Sequence, residues 1–174
     1  MRAAREGPRG SRVVSTRPVP YSPAVLEASI EVALTAAEAW ALLTDVERIP
    51  AWVPGVAEAT VLERGDRPSL VQFVTMPATG SLVYRVRYEH DEAERTVRWS
   101  SVDGDDRGLA GGAHVIDLGD GRARLHYRLQ SWAGRAVPRW AQAALADDTA
   151  QRTVEAFRRW AEGLPRTATS STSR

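Results

Sequence analysis

Along residues 25–34 apolar and polar side chains alternate. Ile30, Val32 and Leu34 share one face and Ser29 and Glu31 the other, the period of a half-buried strand. Thr35-Ala36-Ala37-Glu38 then reads as a capping box, which predicts a short helix to about Thr44, stopped before Ile49-Pro50. Ala51-Trp52-Val53-Pro54-Gly55 turns the chain, with room for one more helical turn. Strand patterns follow at 56–63 and 69–76, parted by the turn Arg64-Gly65-Asp66-Arg67-Pro68. In the second of these Phe73 is placed inward. Across 81–90 Leu82, Tyr84, Val86 and Tyr88 fall on one side and Arg85 and Arg87 on the other. Across 95–102 Val97, Trp99 and Ser101 oppose Arg98 and Ser100. If Asp117 faces water, the run 113–118 turns His114, Ile116 and Leu118 inward. Gly119-Asp120-Gly121 is a hairpin signal, and in 122–131 Leu125, Tyr127 and Leu129 point in while Arg124, His126, Arg128 and Gln130 point out.

A long helix is predicted from Val137 to Gly163, with Pro138 in its first turn. Trp140, Ala143, Asp147, Ala150, Val154, Phe157, Ala161 and Leu164 recur at spacings of three and four and form one stripe, interrupted by a single carboxylate. Strand, two short helices, six strands and a long helix make an α+β chain: a seven-stranded antiparallel sheet whose curvature receives the C-terminal helix. One helix cannot fill such a hollow, so the inward residues predict a largely apolar pocket.

Composition narrows the picture. The 174 residues are 43% hydrophobic and 26% charged, as expected of one globular domain. Residues 1–23 carry five Arg and one Glu, a net of +4, and 165–174 carry two Arg and no acid. The stretch 24–164 holds sixteen Arg against twenty-one acids, a net of −5. The expected division is a disordered basic arm at 1–23, one ligand-binding domain at 24–164 and a disordered tail at 165–174. With no Cys there is no disulfide, thiolate zinc site or Cys nucleophile. No apolar run approaches the ~20 residues of a membrane span, and a cytoplasmic location is expected.

The segment from Thr35 to Val56, with Trp40 inside the first helix, then Asp45 and the turn Pro50-Ala51-Trp52-Val53-Pro54-Gly55, resembles the opening of the START-like (SRPBCC) superfamily of polyketide cyclase/dehydrase and coenzyme-Q-binding type. The resemblance implies a helix-grip fold over a hydrophobic cavity and the binding of polyketides, quinones, sterols or lipids. It does not fix one chemistry, because cyclases, carriers and sensors share the fold.

Candidate chemistry is sparse. His90, His114 and His126 lack metal-ligand spacing, and phosphate-loop, dinucleotide and nucleophile-elbow motifs are absent, so no cofactor and no metal are expected. Tyr84, Tyr88, Trp99 and Tyr127 give flat walls and hydroxyl donors for a ring-bearing ligand, or fill the core beneath the helix; Ser101 lies on the same face. Asp147 reads as a cavity carboxylate, or as a solvated residue at a kink where Asp148 caps a second helical segment. His114 reads as a cavity imidazole, or as a satisfied core histidine or one at the solvated strand start beside Gly111-Gly112; His90 and His126 read as surface. The outward arginines 85, 87, 98, 124 and 128 read as a solvated sheet face rather than a specific nucleic-acid surface. The loop Gly104–Gly112, with four Gly, reads as a flap beside the pocket or a plain floppy hairpin. The functional expectation is a monomer or weak dimer that carries or senses a hydrophobic, ring-containing molecule. The alternatives are a polyketide aromatase/cyclase, in which an inward strand Arg is expected, and a surface-acting module such as a ribosome-associated one.

Overall fold

A computed structural model of the chain describes residues 25–76, 82–102, 108–132 and 149–165. Seven strands form one antiparallel sheet: β1 (Val25–Val32), β2 (Val56–Arg64), β3 (Pro68–Thr75), β4 (Leu82–Asp91), β5 (Thr96–Ser101), β6 (Gly108–Gly119) and β7 (Arg122–Trp132). Their spatial order is β1-β7-β6-β5-β4-β3-β2, so every neighbour but one is also a sequence neighbour. The exception sets β1 beside β7, pairing Ile30 with Leu125 and Ala28 with Tyr127. Between β1 and β2 lie helix α1 (Ala36–Leu43) and a 3-10 helix (Val46–Ala51), and the C-terminal helix α2 is described over Thr149–Gly163.

Local chemistry sets the boundaries. The Thr35 hydroxyl accepts from the Glu38 N–H at 3.2 Å while the Glu38 carboxylate accepts from the Thr35 N–H at 2.8 Å, the reciprocal cap anticipated at the start of α1. At the β6–β7 hairpin Asp120 and Gly121 take φ of 53° and 70°, the left-handed pair that matches the twist of tightly joined strands.

The inward side chains of the curved sheet meet α1, the 3-10 helix and α2. Val154 and Phe157 of α2 are fully buried, with Ala150 and Ala161 above and below on the same stripe. Trp52, just after the 3-10 helix, sets its ring edge against Phe157 at 5.1 Å and stacks on Trp160 at 6.3 Å. At the far end of α2 the Glu162 carboxylate accepts the Ala33 N–H at 2.8 Å and ties the helix to the end of β1. The predicted helical residues 137–148, and with them Trp140 and Asp147, lie outside the described residues.

Three expectations are corrected. His114 and Ile116 face outward: Ala113 and Val115 are the buried residues of β6, paired with Tyr127 and Leu125. The misleading cue was Asp117, which shares the inward parity of Val115 and opposes buried Ala123, yet is itself exposed near the end of the strand. Strand alternation fixes a face, not burial, so a charge at a strand end is a poor guide to parity. Gly108–Gly112, read as part of a loop, belong to β6. His90, read as surface, continues the inward series of Tyr84, Val86 and Tyr88, opposite buried Val97.

Candidate ligand cavity

Between the concave face and the helices lies a cavity of about 410 Å³. Its sheet wall draws on six strands, with Val56 and Thr75 at one end and Phe73, Tyr84, Val86, Trp99, Leu109, Tyr127 and Leu129 forming the rest. Ile49, Val53 and Pro54 close it from the side of the 3-10 helix, and Thr149, Arg152 and Thr153 at the start of the described part of α2 stand over it. Thr149, Arg152 and Pro54 are exposed and form its rim. A smaller cavity of about 50 Å³ shares the wall residues Ile49, Val53, Trp99 and Tyr127 and reaches toward Thr44, Trp52, Tyr88 and His90.

The wall is a continuous aromatic band. Ring centroids step from Tyr84 to Phe73 at 5.7 Å, Phe73 to Tyr88 at 6.5 Å, Tyr88 to Trp99 at 6.2 Å and Trp99 to Tyr127 at 5.4 Å. Tilted and edge-on rings at these separations hold one another in place. Burial pushes the Tyr84, Tyr88 and Tyr127 hydroxyls above the usual phenol range, so all three stay neutral donors near pH 7. Trp99 owes its position to Gly111 on the neighbouring strand: a Cβ there would fall 2.6 Å from Trp99 Cζ2 and collide with the Arg128 carbonyl. The glycine that resembled loop punctuation is therefore the floor under an aromatic wall.

Sequence-derived candidates separate into five groups. Phe73, Tyr84, Val86, Trp99, Tyr127 and Leu129 line the larger cavity, and Tyr88 and Val97 line the smaller. Leu125 and Val154 are buried in the core without reaching either wall. Ser101 lies opposite inward Val86 and is engaged by the Leu109 N–H, which it accepts at 3.1 Å. His114 and Ile116 are on the outer face, and the Leu82 side chain, like Trp140 and Asp147, is outside what the structure describes.

Residues absent from the sequence-derived set complete the inner end. The His90 ring stacks on Tyr88 at 6.0 Å and meets Trp40 edge-on at 6.4 Å. Burial and the nearby Arg67 guanidinium lower its proton affinity, which Glu92 only partly restores. Glu92 in turn accepts the Trp40 indole N–H at 2.7 Å and takes both arms of Arg67, whose remaining nitrogen donates to Thr44 Oγ1 at 2.7 Å. Extending the alternation of β4 by one step would have found His90. The Trp40–Glu92–Arg67–Thr44 network joins α1 to two turns and leaves no trace in local sequence.

On the outer face, Arg124 and Arg122 of β7 pair with Glu31 and Arg128 with Glu27, both on the adjacent β1, and Arg87 of β4 reaches across β3 to Glu63 of β2. Among the described residues no cluster of His, Asp and Glu is arranged to hold a metal ion, and no helix is long and apolar enough to cross a membrane.

Residues 23–167 match the family described as polyketide cyclase/dehydrase and lipid transport. The chain belongs to that family. Its fold is the helix-grip fold of the START superfamily, as solved structures show. A START superfamily protein from Mycobacterium smegmatis superposes with a TM-score of 0.65 at 22% identity, covering 80% of this chain and 94% of the other. The Zhui aromatase/cyclase from Streptomyces sp. R1128 gives 0.64 at 19% identity, with 85% and 99% covered. A protein of Thermus thermophilus gives 0.67 at 17% identity, with 80% and 94% covered. No curated protein matches the sequence.

Proposed function

We propose that this family member binds a hydrophobic, ring-containing small molecule in the larger cavity, as a carrier or sensor. The observation that carries the reading is the cavity of about 410 Å³ under an aromatic band. Its size lies within the range of small-molecule sites, and its walls are flat, apolar and dotted with neutral hydroxyls. Burying apolar ligand surface at about 25 cal/mol per Å² leaves a net affinity even after the cost of association. The aromatase/cyclase alternative is less well supported. An inward strand Arg is expected of it, whereas Arg85, Arg87, Arg98, Arg124 and Arg128 are all exposed and Arg152 stands at the rim.

The test is a thermal-shift screen of quinones, sterols, fatty acids and aromatic polyketides, with native mass spectrometry of the purified protein. A ring-bearing compound at one hundred times its Kd is expected to stabilise the fold by about 2.7 kcal/mol, several degrees in Tm. Leu129→Trp, which fills the cavity from β7, should abolish that shift while the protein stays folded. No shift with any class and no retained adduct would overturn the reading.

A further inference from the structure

Two buried nitrogen atoms at the inner end lack a hydrogen-bond partner: Trp52 Nε1 and His90 Nε2. They are the only buried side-chain polar atoms in that condition among the described residues, and both residues line the same small cavity. Such orphans are rare because a buried polar group without a partner is costly. Because both residues border one void, that void is the place for a shared occupant.

The surroundings define it. Trp52 is only 7% exposed and is fixed by its contacts with Phe157 and Trp160, so its N–H cannot swing to water. His90 is held between the Tyr88 face and the Trp40 edge. Thr44 borders the same space, but its hydroxyl already donates to the Trp40 carbonyl at 2.8 Å and accepts from Arg67. The indole offers a donor only, whereas the imidazole nitrogen donates or accepts according to tautomer. The void, at about 50 Å³, holds one or two waters or a single small polar group, not a ring.

We infer that the inner cavity is an oxygen-recognition subsite: the ligand's rings occupy the larger cavity and one terminal oxygen, of a hydroxyl or a carbonyl, sits between Trp52 Nε1 and His90 Nε2. A hydroxyl accepts from the indole and donates to the imidazole. A carbonyl accepts from both when the imidazole carries its proton on Nε2. The four wall residues common to the two cavities put the subsite next to the ring chamber. The inference rests on the ligand-binding reading above and adds the functional group that the ligand must carry.

Fluorescence titration of the full chain with naphthalene, 2-naphthol and 2-naphthaldehyde tests it. The wild type is expected to bind at least one oxygenated probe about tenfold or more tightly than naphthalene, and which one leads separates hydroxyl from carbonyl recognition. In Trp52→Phe and, independently, His90→Phe, each checked for folding by circular dichroism, that lead should shrink while naphthalene affinity is kept. Equal binding of all three probes by the wild type would overturn the subsite, leave the hydrophobic site standing and assign the void to water alone. A lead that persists in both folded variants would likewise overturn it. Binding of none of the three would sink the subsite together with the ligand-binding reading.

Discussion

Replacing Gly111 by Ala tests whether the aromatic wall is a rigid part of the cavity. The added methyl would lie 2.6 and 2.7 Å from Trp99 Cζ2 and Cε2, against the 3.4–4 Å of an ordinary contact, and would also press on the Arg128 carbonyl. Carbon atoms prefer separations of about 3.5–4.0 Å, so the ring must retreat by about 1 Å, and the β6–β7 ladder must give as well because the Arg128 carbonyl is nearer still. Overpacking of this kind costs about 1–3 kcal/mol, and the usual gain from Gly to Ala in a strand, about 0.5–1 kcal/mol, offsets only part of it. A net loss of about 1–2 kcal/mol should lower Tm by several degrees for a domain of this size. The displaced indole must press on its aromatic neighbours Tyr127 and Tyr88, 5.4 and 6.2 Å away, or move into the cavity, so affinity for a bound aromatic should also fall, by about tenfold. Gly112→Ala is the control: its methyl points to the other face and meets nothing closer than the Val97 carbonyl at 3.1 Å. Thermal melts and a binding isotherm on both variants decide the matter. If Gly111→Ala melts within about 1 °C of wild type and binds unchanged, Trp99 is not held by Gly111 and the wall is soft.

Two further outcomes follow from the inner end. Glu92→Ala removes the acceptor of the Trp40 indole and both ion-pair contacts of Arg67; because the carboxylate is half-exposed, the expected loss is about 1 kcal/mol, read from urea midpoints, and a change of only a few tenths would reduce the network to a surface contact. The second concerns pH. Burial, with Arg67, holds the folded His90 below the ordinary imidazole value of 6.5, so the unfolded chain binds the proton first. The stability this contributes is complete above pH 6.5 and is lost as pH falls from there through the lowered folded value. Tm measured from pH 7.5 to 5.0, above the range where Glu92 takes a proton, should fall at the acidic end, and His90→Phe should flatten that fall. An identical profile in the variant would show that His90 is not the group responsible.

How far the sequence could be read depended on how local each signal was. The capping box at Thr35, the hairpin at Asp120-Gly121 and the alternation of Tyr84, Val86 and Tyr88 each depend on residues a few positions apart, and all appear in the structure as expected. The stripe through Ala150, Val154, Phe157 and Ala161 was legible for the same reason. His114 and Ile116 were misplaced because β6 was anchored on one charged residue near its end, Asp117, which is exposed although it shares the inward parity of Val115. The placement of Gly111 was not legible at all, since what makes the glycine necessary is a tryptophan on the neighbouring strand.

The amino-acid sequence by itself determined the order of elements, the inward aromatic set and the family, because periodicity, caps and turns act over a few residues. Tertiary structure alone decided which side chains share a void. It brought Trp52 from the turn after the 3-10 helix to within one small cavity of His90 on β4, and it left both nitrogens unpaired there. Packing of distant segments sets that juxtaposition, and a partner missing from a hydrogen bond is visible only once every other group has been placed.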